Sequence, residues 1–140
     1  MIEIICGVKG KGKTKLLLDK VNTAVKEIPG NIVYLDKSTK HMYELNNKVR
    51  LINVMDYPIA NCDEFVGFIC GIISQDNDLE EMYLDSFLTI ADVDTEDEIT
   101  KVIEKLDVIS EKYKVKFILS VSKDEEALPA CANAKVVISL

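Results

Sequence analysis

The chain has 140 residues, 48% of them apolar and 29% charged, which is the size and balance of one globular domain spanning residues 1–140. No apolar run approaches the ~18 residues that cross a membrane, and the sequence opens without a charged-then-apolar leader, so neither a membrane protein nor a secreted one is expected and a cytoplasmic location is. The net charge of −7 is uneven: residues 1–50 carry ten Lys and Arg against five acids, whereas residues 76–98 carry ten acids and no base, which argues against nucleic acid as the main partner.

In chain order, residues 2–6 are apolar and read as a first strand. A loop rich in glycine and lysine follows. From about Lys13 a helix is predicted, with Leu17, Leu18, Val21, Ala24, Val25 and Ile28 recurring on one face and Pro29-Gly30 as its stop. Residues 31–35, closing on Asp36, form a second strand. Residues 37–48 are polar, with one helical turn near residues 41–45, and residues 49–54 form a third strand. Residues 61–74 read as a buried helix with little polar face, on which Gly67 and Gly71 predict close packing on a neighbour. Residues 82–85 are a short apolar run ending on an acid, and 84–91 fit a short helix. Thr95 and Glu98 form a capping box that opens an amphipathic helix, its inward face being Ile99, Val102, Ile103, Leu106, Ile109 and Tyr113. A strand over 115–121, a helical turn over 123–128 stopped at Pro129, and a last strand over 135–140 complete the chain. Alternation of strands and helices predicts an α/β three-layer sandwich with a mostly parallel sheet of five or six strands. Cys6, Cys62, Cys70 and Cys131 show no C-x-x-C pairing and read as reduced thiols; Cys62 and Cys70, two helical turns apart, are expected to share a face without forming a metal site. The acidic stretch reads as a solvated loop and helix start, with a docking surface for a basic partner, or part of a metal site, as the functional alternative.

Residues Gly7 to Thr14 read G-V-K-G-K-G-K-T, a complete match to G-x-x-x-x-G-K-[ST], with a strand before it and a helix after it. On these residues the chain resembles the P-loop NTPase superfamily, whose Walker A motif this is. The resemblance implies a P-loop NTPase-like fold and a nucleotide-binding set of Gly7, Val8, Lys9, Gly10, Lys11, Gly12, Lys13, Thr14 and Lys15. Gly7, Gly10 and Gly12 would let backbone N–H groups close on phosphate at the helix start. Lys13 would reach the β- and γ-phosphates as a point charge, and the Thr14 hydroxyl would be a ligand of Mg²⁺. Lys9, Lys11 and Lys15 add a basic rim. The ParA/MinD-like branch carries a further lysine at the second loop position; here that position is Val8, so the loop does not support membership of that branch.

Such proteins hold Mg²⁺ through water with an acid that ends an apolar strand. Asp85, after Met82-Tyr83-Leu84, is read as that acid, with Asp92, after Ala91, as the alternative. Many ATPases follow the metal acid with a water-activating glutamate; here Ser86 follows Asp85, and the best substitute is Asp36 at the end of the second strand. Ser38 and Thr39 could contact the γ-phosphate as a switch segment does. Ser120 and Ser122 could sense phosphate, as strand-end polar groups do in ATPases of the RecA/AAA type. Ser122-Lys123-Asp124-Glu125 differs from the guanine-reading N-K-x-D at two of four positions, so adenine is the default base. The single arginine, Arg50, is not placed as a finger, and His41 has no partner acid at catalytic spacing and reads as a loop residue.

The expected function is ATP binding with Mg²⁺ and slow hydrolysis. The first alternative is a nucleotide-binding switch, or a module completed by a protein partner or by self-association; the second is a small phosphotransferase, against which the lack of an arginine-rich lid argues.

Overall fold

A computed structural model describing residues 1–140 contains six strands: β1 (Ile2–Cys6), β2 (Asn31–Asp36), β3 (Arg50–Asn53), β4 (Leu79–Leu84), β5 (Lys116–Val121) and β6 (Val136–Ser139). They form one sheet in the order β3-β2-β4-β5-β1-β6, and every pairing is parallel. The sheet is therefore six-stranded and wholly parallel, because each strand is followed by a crossover rather than a hairpin. The helices are α1 (Lys13–Glu27), α2 (Cys62–Ser74), α3 (Phe87–Ile90), α4 (Glu96–Tyr113) and α5 (Ala130–Asn133). No helix is long and apolar enough to cross a membrane.

Strand side chains alternate between two cores. Ile4, Cys6, Val33, Leu35, Met82, Leu84, Phe117 and Leu119 face the layer of α2, α3, α4 and α5. Ile5, Ile32, Tyr34, Tyr83 and Ile118 face α1. Both faces are covered, which is why these strands read as near-continuous apolar runs. The alternation also decides the chemistry above. Asp36, Asp85 and Ser120 lie two residues beyond Tyr34, Tyr83 and Ile118, so all three fall on the α1 face at the carboxyl end of the sheet.

Helix α4 starts as its sequence predicts. The Glu98 amide donates to the Thr95 hydroxyl, and the Thr95 amide donates back to the Glu98 carboxylate. The Thr95 and Asp94 amides hold that carboxyl below the usual range for glutamate. Tyr113, expected on the inward face, is instead half exposed at the end of the helix.

The expectation for α2 needs correction. Only Cys62, Phe65, Ile69 and Ile73 are buried, one helical stripe. A Cβ added at Gly67 or Gly71 would meet nothing within 4 Å, so these glycines face open space rather than a packed neighbour. Cys62 is buried and Cys70 exposed, so the two thiols do not share a face. The helix lies toward the β2–β3 edge, where Ile72 borders the same hollow as Val33 and Ile52, and it packs beside α4. Phe65 anchors it, fully buried with its ring edge against Phe87 at 6.4 Å. Phe65→Ala should lower stability by about 3–5 kcal/mol, read from a denaturant midpoint that falls at unchanged slope.

After β5 the chain makes a short 3₁₀ turn at Glu125–Ala127, and Pro129 stands immediately before α5. The proline opens a helix there rather than only stopping a turn, since its fixed φ and missing N–H cost nothing ahead of a first turn.

Candidate functional site

The glycine loop joins β1 to α1. Gly12 occupies the N-cap of α1 in the left-handed region, with φ 91° and ψ 21°, and Gly10 has φ 90°. These angles turn the loop so that the amides from Val8 to Lys15 find no acceptor within the protein, while the Leu16 amide begins the helical ladder on Gly12. The first turn of α1 carries no acid. A run of free amides, the positive end of a fifteen-residue helix and a lysine side chain thus converge on one concavity. Lys13 is only 7% exposed, and its Nζ donates to the Val8 carbonyl at 3.1 Å. Burial pulls its ammonium below the ordinary lysine value, and the Asp85 carboxylate opposes that shift. A Cβ at Gly12 would meet no atom within 4 Å, so Gly12→Ala isolates the backbone cost. It should destabilise by about 1–2 kcal/mol, checked by chemical denaturation.

Across the loop, Asp85 follows β4 and is 2% exposed. Its Oδ1 accepts the Thr14 hydroxyl at 3.3 Å, the Ser120 hydroxyl at 2.6 Å and the Ser86 amide at 2.9 Å. Its Oδ2 accepts the Tyr34 hydroxyl at 2.7 Å. Asp92, the alternative acid, follows the short helix α3, is exposed and lies outside the cleft. The apolar run before it folds as a helix because Ser86, at φ 53°, turns the chain directly after β4.

Asp36 ends β2 and is 3% exposed. Its Oδ1 accepts the Lys37 amide at 2.7 Å, while Oδ2 has no hydrogen-bond partner in the protein. Burial first, and the Asp85 charge second, raise its carboxyl above the usual aspartate range.

These groups share a cleft of about 460 Å³ at the carboxyl ends of the strands. Lys9, Gly10, Gly12, Lys13 and Thr14 line it from the loop, Asp36 and Ser38 from the end of β2, and Asp85, Ser120 and Ser122 from β4 and β5. Gly7 is buried beneath the loop; Val8, Lys11 and Lys15 are exposed and do not line the cleft, nor does Thr39. Arg50 sits at the start of β3 and borders a different hollow. Sequence reasoning missed Lys37, Lys40 and the buried Tyr34. His41 sits on the loop, as expected, but it borders the cleft and is not without an acid: its Nδ1 lies 3.0 Å from Glu44 Oε1. Four lysines (Lys9, Lys13, Lys37 and Lys40) against two carboxylates leave the lining positive, as an anionic ligand requires.

No cluster of three or more His, Cys, Asp or Glu is present to cage a metal. What the cleft offers is a hydroxyl and a carboxylate, hard oxygen donors. That set fits Mg²⁺, which keeps most of its waters and takes further oxygens from phosphate.

No protein-family model matches the sequence, and no curated protein matches it. Among solved structures, the chain is similar to a KaiC-like protein from the hyperthermophilic archaeon Pyrococcus horikoshii OT3, with a TM-score of 0.66 at 17% identity. The likeness covers 95% of this chain and 66% of that one, so the chain spans a little under two thirds of that protein's length. At this identity the likeness is one of fold. The fold the two share is an α/β fold with a parallel sheet, here of six strands.

Proposed function

We propose that residues 1–140 act as one nucleotide-binding domain that holds Mg²⁺-ATP in the cleft and hydrolyses it slowly. The observation that carries this reading is the run of unpaired amides from Val8 to Lys15, closing on the buried Lys13 ammonium beside the Thr14–Asp85 hydrogen bond. The amides and Lys13 grip the β- and γ-phosphates. Thr14 and Asp85 would hold Mg²⁺, which when bound would neutralise charge developing on the phosphate oxygens. Asp36 accepts the proton of the attacking water through its free Oδ2, and its raised pKa suits it to that task. The water oxygen bonds to the γ-phosphorus, the bond from that phosphorus to the bridging oxygen breaks, and the electron pair leaves with the diphosphate.

A second reading, a switch or a module completed by a partner, is favoured by Arg50 lying at the amino end of β3, away from the cleft. No arginine of this chain reaches the transferred phosphate, so turnover is slow until another subunit supplies a cation. Phosphate release from ATP, followed across protein concentration with and without Mg²⁺, tests both readings. Slow, Mg²⁺-dependent release proportional to protein supports self-sufficient hydrolysis. A steep rise with concentration supports completion by a second copy, and binding without release supports the switch. Phosphate appearing on an added small hydroxyl compound would move the reading to a phosphotransferase.

A further inference from the structure

The Asp85 carboxylate is held from two sides. Three donors meet Oδ1 at the cleft, and one meets Oδ2 from inside the protein. We propose that the inner donor, Tyr34, is a positioning residue. Its hydroxyl fixes Asp85 so that Oδ1 faces Thr14, and through Asp85 it fixes the Thr14 hydroxyl for the metal that accompanies the nucleotide. The inference rests on the nucleotide reading above and concerns a residue outside the loop motif.

Tyr34 is fully buried in the middle of β2, beneath α1. It stands in register with Tyr83 on β4, and the two rings stack at 6.2 Å with planes 12° apart. The stacked pair fills this core with carbon, and a phenylalanine would fill it equally well. The hydroxyl has a separate task, because a buried phenol must find an acceptor. The two tyrosines send theirs in different directions: Tyr83 donates to Glu81 at 2.7 Å, on the amino side, and Tyr34 donates to Asp85 at 2.7 Å, at the site.

The consequence reaches Thr14 through one carboxylate. A hydroxyl has a single proton to give. While Thr14 spends it on Asp85 Oδ1, its lone pairs are left for a cation in the cleft. Without the Tyr34 hydroxyl, Oδ2 is a buried acceptor with no donor, and the carboxylate gains by turning toward the cleft. Oδ1 then leaves Thr14, and the ligand orientation is lost. Outer residues that orient metal ligands in this way carry a 10–100-fold share of metal affinity.

The test is Tyr34→Phe, with Tyr83→Phe as the control that removes the stacked partner's hydroxyl. Binding of a fluorescent ATP analogue is measured in EDTA and again across a Mg²⁺ titration, beside a melting curve for each variant. For Tyr34→Phe the half-saturating Mg²⁺ is expected to rise about tenfold while affinity in EDTA changes by less than about twofold. For Tyr83→Phe both should stay at the wild-type values. An unchanged Mg²⁺ midpoint in Tyr34→Phe, or an equal rise in both variants, overturns the role of Tyr34 alone. Wild-type binding indifferent to Mg²⁺ overturns the nucleotide–metal reading with it. If Tyr34→Phe does not fold, the buried Tyr34 hydroxyl proton of the wild type gives the same answer by NMR. Its resonance should move when Mg²⁺ is added to the nucleotide complex while that of Tyr83 stays; a resonance that does not respond overturns the inference.

Discussion

Lys13→Ala is expected to weaken Mg²⁺-ATP binding about 100-fold, roughly 3 kcal/mol, as measured by titration with a fluorescent analogue. The size follows from a charge-assisted contact made by an ammonium that is already desolvated. The same substitution should not lower the melting point of the free protein. The folded-state pKa of Lys13 is depressed, so at neutral pH the fold bears the cost of holding a buried cation, a cost relieved only as pH rises toward the ordinary lysine value. Removing the side chain removes that cost. A variant that binds as tightly as the wild type would mean that the loop does not grip phosphate.

Asp36→Asn should separate binding from turnover in the opposite sense. Phosphate release is expected to fall by about 10²–10⁴-fold, with nucleotide affinity within a few fold of wild type. The pH dependence follows from the raised carboxyl of Asp36. Between the unfolded value of about 3.9 and the higher folded value, the native state binds more protons than the unfolded chain. Stability contributed by this group therefore falls as pH rises through that window and stays reduced above it. Asp36→Asn should melt higher than wild type at neutral pH and lose this part of the pH dependence. The acid limb of the wild-type turnover profile should lie above the ordinary aspartate range, since the base must be ionised. Unaltered turnover in Asp36→Asn would reassign the base.

The loop was legible because its parts are contiguous: glycines, lysine and threonine within eight residues, between a strand and a helix. The α/β alternation was legible for the same local reason. The strand order was not, because nothing in the sequence says that β5 inserts between β1 and β4 and so brings Ser120 to Asp85. Asp85 and Asp92 were hard to separate because each ends an apolar run, and only the turn at Ser86 makes the second run a helix. Tyr34 looked like one more apolar strand residue. Its one available signal was parity, two positions before Asp36, and that becomes informative only once the register with Tyr83 is known. Gly67 and Gly71 were misread because a helix apolar nearly all round looks buried, whereas α2 buries a single stripe and leaves both glycines exposed. His41 was assigned to the loop alone, although Glu44 one turn later was a partner within reach.

The most direct measurement is amide NMR of the uniformly ¹⁵N-labelled protein as Mg²⁺-ATP is added. The amides of Gly10, Gly12, Lys13 and Thr14 should show the largest downfield shifts, because they gain a phosphate acceptor where the protein offers none. Saturable binding that leaves these amides unmoved, with the shifts gathered elsewhere on the molecule, would contradict a phosphate grip at this loop.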